Sequence, residues 1–229
     1  MNEFDYIKRN YEELKSEIEK LSSGLGLPTP TLVSVTKSGT DEELLALAAA
    51  GAVDIGENRP GEVKRRGELL KAAGFSPRMH EIGSLQTNKV KLIIEEASLI
   101  HSLDSERLAR EIEKRASAQG RKIPVLVEIN SAREEQKGGI FPEYAEEFLK
   151  KLKAYPSLVP KGLMTMGPET DDGETLRPYF RETKKLFDKL LPYFDTDTPI
   201  LSMGMSASYR VAIEEGSTLV RVGRRLFIK

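Results

Sequence analysis

The stretch Thr31-Leu-Val-Ser-Val-Thr-Lys37 is a short, continuous apolar run that ends in a lysine, and Ser38-Gly-Thr-Asp41 directly behind it begins a turn and a helix. Such a run followed by a helix is typical of a strand in a parallel sheet, where both faces are covered. Lys37 then stands at the carboxyl end of the strand. An amine desolvated at that place is shifted toward its neutral, nucleophilic form, as Schiff-base chemistry requires.

Further apolar runs alternate with helical patterns along the rest of the chain. We predict strands at Thr31–Lys37, Asp54–Glu57, Met79–Gly83, Leu99–Leu103, Pro124–Asn130, Gly162–Met166, Ile200–Met205 and Leu219–Gly223. The helices between them are predicted at Asp41–Ala50, Gly61–Ala73, Thr87–Glu95, Ser105–Ala118, Pro142–Lys153, Thr175–Leu191 and Tyr209–Glu214. Eight alternations in about 200 residues indicate an α/β fold, a (β/α)8 TIM barrel. A doubly wound open sheet is the alternative, because a sequence does not show closure.

The first residues of the chain predict an amphipathic helix that ends at Gly24-Leu-Gly26. Its apolar positions recur every three or four residues, at Phe4, Ile7, Tyr11, Leu14, Ile18 and Leu21. Such a stripe either packs on the barrel or forms a dimer seam, and three turns are short for a coiled coil. We therefore predict that residues 1–24 pack on a single barrel domain spanning 1–229. A monomer is expected, with a dimer as the alternative.

Composition excludes several classes of function. The 229 residues carry 35 basic and 36 acidic side chains, which argues against a dedicated nucleic-acid binder. There is no cysteine, so disulfides, thiolate metal sites and cysteine nucleophiles are excluded. No apolar stretch approaches the length of a membrane span, and the amino terminus does not resemble a secretory signal. We expect a soluble cytoplasmic protein with no nucleic-acid or membrane partner.

In a barrel of this kind, chemistry collects at the carboxyl ends of the strands, and phosphate is often held after strands seven and eight. The segment Leu201-Ser-Met-Gly-Met-Ser206 has small residues that let backbone N–H groups approach an oxyanion. The segment Val220-Arg-Val-Gly-Arg-Arg225 adds a glycine and cationic side chains. Tight turns with solvated arginines are the alternative for each segment alone. Together they predict a phosphate site.

The remaining candidates are weaker. His80 and His101 are the only histidines, and both lie in apolar strands. His101 is interpreted as a core residue, whereas His80 is as consistent with a catalytic role. Glu57, Asp104 and Glu128 could form an acidic ring for a divalent cation, but acids at strand ends also cap helices. No closely spaced metal-ligand set and no Gly-x-Ser-x-Gly elbow occurs, so we assign neither a metal site nor a serine nucleophile.

Several of these segments resemble the pyridoxal-phosphate homeostasis protein family, single-domain relatives of the alanine-racemase barrel. The resemblance extends from Thr31 to Phe227. The matching stretches are Val33-Ser-Val-Thr-Lys37, Gly56-Glu-Asn58, His80-Glu-Ile-Gly-Ser-Leu-Gln-Thr-Asn-Lys89, Val127-Glu-Ile-Asn130, Lys137-Gly-Gly-Ile140, Gly162-Leu-Met164, Leu201-Ser-Met-Gly-Met-Ser206 and Gly216-Ser-Thr-Leu-Val-Arg-Val-Gly223.

The resemblance implies pyridoxal 5'-phosphate as the cofactor, held on Lys37 as a Schiff base (the internal aldimine). Ser202 and the backbone around Gly223 and Arg224 would hold the phosphate, in agreement with the site expected after strands seven and eight. The family tends to have Thr or Ser at the position of Arg224. A hydroxyl contact to phosphate is therefore replaced by a charge.

The resemblance also implies ring contacts. Arg221 would approach the phosphate or the pyridine nitrogen, and Asn58 and Met203 would line the ring.

A second difference from the family pattern follows Lys37 in the sequence. The family has another lysine two residues further on, then a proline, where this chain has Gly39 and Thr40. A relay of lysines for handing the cofactor on would lack one member.

The implied function is a carrier that buffers pyridoxal phosphate or delivers it to dependent apo-enzymes, without strong catalytic activity and with no catalytic residue assigned. The alternative is a single-domain amino-acid racemase, which needs acid–base groups on both faces of the substrate. Lys37 supplies one, and the related racemases take the other from a tyrosine on an additional β-domain, which we expect this chain to lack. No motif singles out Tyr144, Tyr179 or Tyr209 as a substitute. A cofactor-free Schiff-base aldolase is a third hypothesis, since a barrel alone does not exclude it.

Overall fold

The computed structural model describes residues 3–170 and 172–229. Parallel strands form a closed barrel in chain order, and the last strand pairs with the first. This confirms the TIM barrel and excludes the open sheet. The strands are β1 (Thr31–Val35), β2 (Asp54–Glu57), β3 (Arg78–Glu81), β4 (Ala97–Leu103), β5 (Ile123–Ile129), β6 (Leu158–Thr165), β7 (Ile200–Ser202) and β8 (Leu219–Val222).

Helices surround this barrel, and each predicted helix overlaps an observed one. They are α1 (Asp5–Gly24), α2 (Asp41–Ala49), α3 (Pro60–Ala72), α4 (Val90–Ile93), α5 (Glu106–Ala118), α6 (Ala145–Leu152), α7 (Gly173–Leu190) and α8 (Tyr209–Glu214). The predicted helix Thr87–Glu95 is a 3₁₀ turn, Thr87–Lys89, followed by the single turn of α4. Further 3₁₀ turns lie at Pro142–Tyr144, Leu191–Tyr193 and Arg224–Phe227.

Side chains alternate between the two faces of each strand, so the barrel has two separate cores. The larger core lies between the strands and the helices. The smaller one lies inside the barrel and consists of Val33, Leu99, Leu126, Met164 and Leu219. The inward positions that follow along the strands are mostly polar. The interior therefore changes from apolar to polar toward the carboxyl ends of the strands, which is the end that can hold a charged ligand.

The amino-terminal helix α1 occupies the place of a helix after β8. The 3₁₀ turn Arg224–Phe227 follows that strand, and α1 packs against this turn, α2 and α8. Its apolar stripe is buried in the outer core at Tyr6, Ile7, Tyr11, Leu14 and Ile18. The helix α1 therefore completes the helical layer at the turn that follows β8, the strand that carries Arg221.

Candidate functional site

Arg221 in β8 extends into the barrel and is held by hydrogen bonds to two neighbouring strands. Its Nη1 donates to the carbonyl oxygen and to the hydroxyl of Ser202, at 3.0 and 2.5 Å. Its Nη2 donates to the carbonyl oxygen of Thr165 at 3.2 Å. A guanidinium has five N–H donors, so two have no protein acceptor in the part of the chain that the structure describes. Arg221 is 4% exposed, and these donors are therefore fixed in direction.

Arg221 faces a buried acid, Glu128, across the interior. Burial lowers the pKa of Arg221 to about 10, and Glu128 works against this shift, so the guanidinium stays charged at neutral pH. Burial raises the pKa of Glu128 to about 7, Asp104 adds to the rise, and Arg221 opposes it. The site is therefore positive below neutral pH and partly compensated above it.

The loop after β7 presents backbone donors beside Arg221. Gly204 has a φ of +91°, and a Cβ there would lie 2.5 Å from the Cβ of Ala212, so only glycine fits. The Gly204 carbonyl accepts from the backbone N–H of Arg221 at 3.0 Å. The N–H groups of Gly204 and Ser206 donate to no acceptor in residues 3–170 and 172–229. Unpaired N–H groups in a tight loop are an anion-binding arrangement.

Gly223 joins this loop to the first strand of the barrel. Its N–H donates to the Ser206 hydroxyl at 3.3 Å, which ties the loops after β7 and β8 together. A Cβ at Gly223 would lie 2.8 Å from the carbonyl oxygen of Val35. Its φ of −125° is open to any residue, so glycine is required here by the close approach of β1. The phosphate region predicted after strands seven and eight is therefore a connected structure.

The chain leaves the barrel earlier at β1 than the sequence predicts. The strand ends at Val35, and the N–H of Gly39 donates to the carbonyl oxygen of Thr36 at 2.9 Å to close a turn. The guanidinium of Arg66 in α3 binds the carbonyl oxygens of both Thr36 and Gly39. Behind the turn, Thr40 and Glu43 form a capping box that starts α2.

This turn overturns the expectation of a desolvated Lys37. Lys37 is exposed, and it makes no hydrogen bond or ion pair with any described residue. Val33 lies in the inner core, and the two-residue period of a strand makes Val35 the last inward-facing side chain of β1. The amine of Lys37 therefore stands in solvent at the rim rather than in the interior.

Other predicted site residues are placed in different ways. Ser202 is fully buried, and its hydroxyl is bound to Arg221 and His101. The expectation for Met203 is wrong, because its side chain faces the outer core and is fully buried there. Asn58 follows β2, is half-buried, and its amide has no hydrogen-bond partner among the described residues. Arg224 is exposed at the start of the last 3₁₀ turn.

The acidic ring considered for a cation does not converge. Glu57 faces α3, where its Oε1 accepts from Arg66 at 2.6 Å and from the Thr36 hydroxyl at 2.5 Å. Glu128 instead lies inside the barrel near Arg221. Successive strand positions point to opposite faces, so acids at three strand ends need not share a site.

Sequence reasoning missed a buried polar chain within the barrel. His80 and His101 are hydrogen-bonded to each other at 2.9 Å, His80 also meets Asp54, and His101 meets Ser202. The signal was available in part, because both histidines occupy inward positions of neighbouring strands. Asp54 gave no such signal, because an acidic residue at the start of a strand does not by itself indicate a buried polar contact.

These features define a parallel barrel whose carboxyl end carries a buried arginine and unpaired N–H donors, and comparison with known proteins agrees on the fold. A family model described as "Alanine racemase, N-terminal domain" matches residues 5–228. A curated pyridoxal phosphate homeostasis protein of Aquifex aeolicus is 39% identical over 227 residues, covering 99% of this chain and 98% of that protein. One of Schizosaccharomyces pombe is 33% identical and covers 93% and 89% of the two chains. The chain belongs to the pyridoxal phosphate homeostasis protein family.

Solved structures show the same fold. PipY of Synechococcus elongatus, solved with PLP bound, has a TM-score of 0.83 and 26% identity, covering 97% of this chain and all of that one. Alanine racemase of Corynebacterium glutamicum has a TM-score of 0.72 at 17% identity, and the match covers 98% of this chain but 61% of the racemase. That second likeness concerns the barrel alone. Among the described residues, no helix combines the length and apolar character needed to cross a membrane.

Proposed function

We propose that the protein binds pyridoxal 5'-phosphate at the carboxyl end of the barrel and serves intracellular homeostasis of this cofactor as a carrier. One observation carries the proposal: buried Arg221 keeps two N–H donors open beside the unpaired N–H groups of Gly204 and Ser206. Such a site suits a small dianion with an attached polar ring. The names of the curated relatives and the PLP-bound PipY structure support the choice of ligand.

The residues present fit the phosphate and the ring. The loops joined by Gly223 and Ser206 would hold the phosphate, with the backbone at Arg224 at their edge. Arg221 would donate to the phosphate or to the pyridine nitrogen. Asn58 would offer its unpaired amide. Ser202 would act through Arg221, since its hydroxyl is already engaged inside the barrel.

The covalent bond is the finer part of the proposal. The cofactor supplies an aldehyde that condenses with amines, and Lys37 is the lysine that follows the inward face of β1 at the rim. Because Lys37 is exposed, water can reach the bond that it forms. A bond that water hydrolyses readily suits a protein that delivers its ligand to apo-enzymes better than one that retains it for turnover.

Two features argue against strong catalysis. A cationic arginine at the pyridine nitrogen disfavours protonation of that nitrogen and weakens the electron sink. Racemisation also needs a second acid–base group, and Tyr209 is engaged elsewhere, by Glu17 and Arg225 at the contact of α1 with α8. The racemase is the runner-up and is tested by optical rotation of alanine with the loaded protein. Turnover on the order of 1 per second or faster would favour it.

The test of the carrier is a titration followed by chemical trapping. Absorbance and equilibrium dialysis with pyridoxal phosphate measure binding, and borohydride reduction with peptide mass analysis locates the modified lysine. Modification at Lys37 in the wild type, and its loss in Lys37→Ala but not in Lys64→Ala, supports the full proposal. Lys64 is an exposed helix lysine paired with Glu68 and serves as the matched control. Absence of binding would overturn the proposal.

A further inference from the structure

A continuous chain of buried side chains crosses the barrel from Asp54 to Arg221. Asp54 Oδ1 lies 3.0 Å from His80 Nε2, and His80 Nδ1 lies 2.9 Å from His101 Nε2. His101 Nδ1 lies 3.0 Å from the hydroxyl of Ser202, which also accepts from Arg221. Asp54 is the first residue of β2, and Ser202 is the last residue of β7. The chain therefore connects the amino-terminal end of the barrel with the ligand end.

The groups at the two ends decide where each proton lies. Because the Asp54 carboxylate only accepts, His80 Nε2 carries a hydrogen, and a neutral His80 then accepts at Nδ1. His101 Nε2 must donate to it, which leaves His101 Nδ1 as an acceptor. The remaining donor is the hydroxyl of Ser202, whose oxygen accepts from Arg221. This assignment of the tautomers satisfies every polar atom between the two ends.

The charges facing the two imidazoles support the assignment. Burial lowers the pKa of His101 well below its ordinary value, and the positive charge of Arg221 lowers it further. Burial raises the pKa of Asp54, but hydrogen bonds from His80 and Arg78 outweigh this and leave the pKa below its ordinary value. An anion at one end and a cation at the other polarise the intervening hydrogen bonds in one direction.

We infer that Asp54, His80 and His101 are positioning residues for the ligand contact of Arg221. The carboxylate holds both imidazoles as Nε2–H tautomers, and His101 Nδ1 then accepts a hydrogen bond from the Ser202 hydroxyl. The Ser202 oxygen is left as a dedicated acceptor that fixes Arg221 with its two open donors toward the ligand. The inference rests on the proposed function for the ligand, but not for the protonation pattern.

The substitution Asp54→Leu reverses the chain without adding a proton. Asp54 Oδ1 accepts from both His80 Nε2 and Arg78 Nε, so its removal leaves the Arg78 cation as the charged donor beside His80. His80 Nε2 then accepts, and both imidazoles become Nδ1–H tautomers. His101 donates to the Ser202 oxygen, and the Ser202 hydrogen loses its acceptor. Because an unpaired buried donor is costly, the contact with Arg221 weakens.

Nitrogen NMR of the tag-free, unliganded protein tests the tautomers directly. The chain has two histidines, so a sample labelled at histidine shows two rings. We expect both to be Nε2–H tautomers at about pH 8 in the wild type and both Nδ1–H in Asp54→Leu. A wild-type ring found as Nδ1–H or as imidazolium at that pH would overturn the inference. The wild-type spectrum decides this even if the variant does not fold.

The matched control is Glu57→Gln. Glu57 is likewise a buried, arginine-paired carboxylate of β2, but it faces α3 and lies outside the chain. It should leave both tautomers unchanged, which separates reversal of the chain from the general loss of a buried charge. Reversed tautomers in this control would also overturn the inference.

Titration with pyridoxal phosphate gives the second measurement. We expect Asp54→Leu to weaken binding about tenfold, whereas Glu57→Gln leaves it within about twofold. Unchanged affinity with reversed tautomers would show that the chain does not position Arg221. If the wild type binds no pyridoxal phosphate, the proposed function fails, and the NMR result still decides the protonation pattern.

Discussion

On the β7–β8 side of the barrel mouth, Arg221 is buried and held by hydrogen bonds to Ser202 and Thr165, whereas on the β1 side Lys37 is exposed and bonds to no described residue. The first side is ordered before any ligand arrives. The second offers an amine that must be recruited from solvent. We therefore expect affinity for the proposed ligand and its covalent attachment to be separate properties, which substitutions on the two sides should distinguish.

The largest effect is expected from removing the anchor of the ordered side. Arg221→Met leaves the Thr165 and Ser202 acceptors unpaired and Glu128 without its counter-charge. We expect affinity for pyridoxal phosphate to fall by about 100-fold and the free energy of unfolding by about 3 kcal/mol. Dialysis and urea unfolding measure the two.

Arg221→Lys is the companion variant. It keeps the charge but not the planar fork, so it should recover stability more than affinity. Equal affinity of Arg221→Met and the wild type would remove the distinction between the two sides.

The second effect concerns pH on the ordered side. The pKa of Glu128 is raised to about 7 by burial, so the folded state holds a proton that the unfolded chain loses near its ordinary value. The folded state thus binds more protons between about pH 4.5 and 7, and its stability falls as pH rises through that window. The fall is at most about 3 kcal/mol and levels off above pH 7.

Glu128→Gln should abolish this fall in stability with rising pH. Urea unfolding at about pH 5 and pH 8 measures it in both proteins. Ionised Glu128 also competes with an anionic ligand for Arg221, so wild-type affinity should weaken above pH 7 and that of the variant should not. A variant that keeps the full wild-type slope would assign the titration to another buried acid such as Glu81, whose pKa burial raises to about 8.

The third effect concerns Gly223, where the β7–β8 side of the barrel mouth packs closely against β1. Gly223→Ala would place a Cβ 2.8 Å from the carbonyl oxygen of Val35 and 3.1 Å from its Cβ, so β1 and β8 must separate. We expect a loss of stability of about 1–3 kcal/mol and a smaller loss of affinity. Gly61→Ala in α3 has open space for a Cβ and is the control. A neutral Gly223→Ala would mean that the approach of the two strands is loose.

The same contrast separates what the sequence could predict from what it could not. The strands follow from local apolar runs, and Arg221 and Gly223 follow from one such run and its register with the loop after β7. The position of Lys37 depends instead on Arg66, which lies 29 positions further along the chain and binds the carbonyl oxygens of the turn. The face that Met203 presents depends on where β7 starts, and a one-residue shift reverses it.

The smallest effect on affinity is expected at the β1 side. Lys37 is exposed and makes no hydrogen bond or ion pair with a described residue, so Lys37→Ala should change stability by less than about 0.5 kcal/mol and non-covalent affinity by about twofold or less, while abolishing the adduct trapped by borohydride. Val35→Lys, made in the Lys37→Ala background, gives the converse test. It places an amine at the last inward position of β1, where burial favours the neutral, reactive form. The adduct should return at residue 35 and hydrolyse more slowly than at Lys37, because water is excluded there. If Lys37→Ala instead lowered affinity as far as Arg221→Met does, the exposed amine would contribute to binding itself, and the two sides would act as one site.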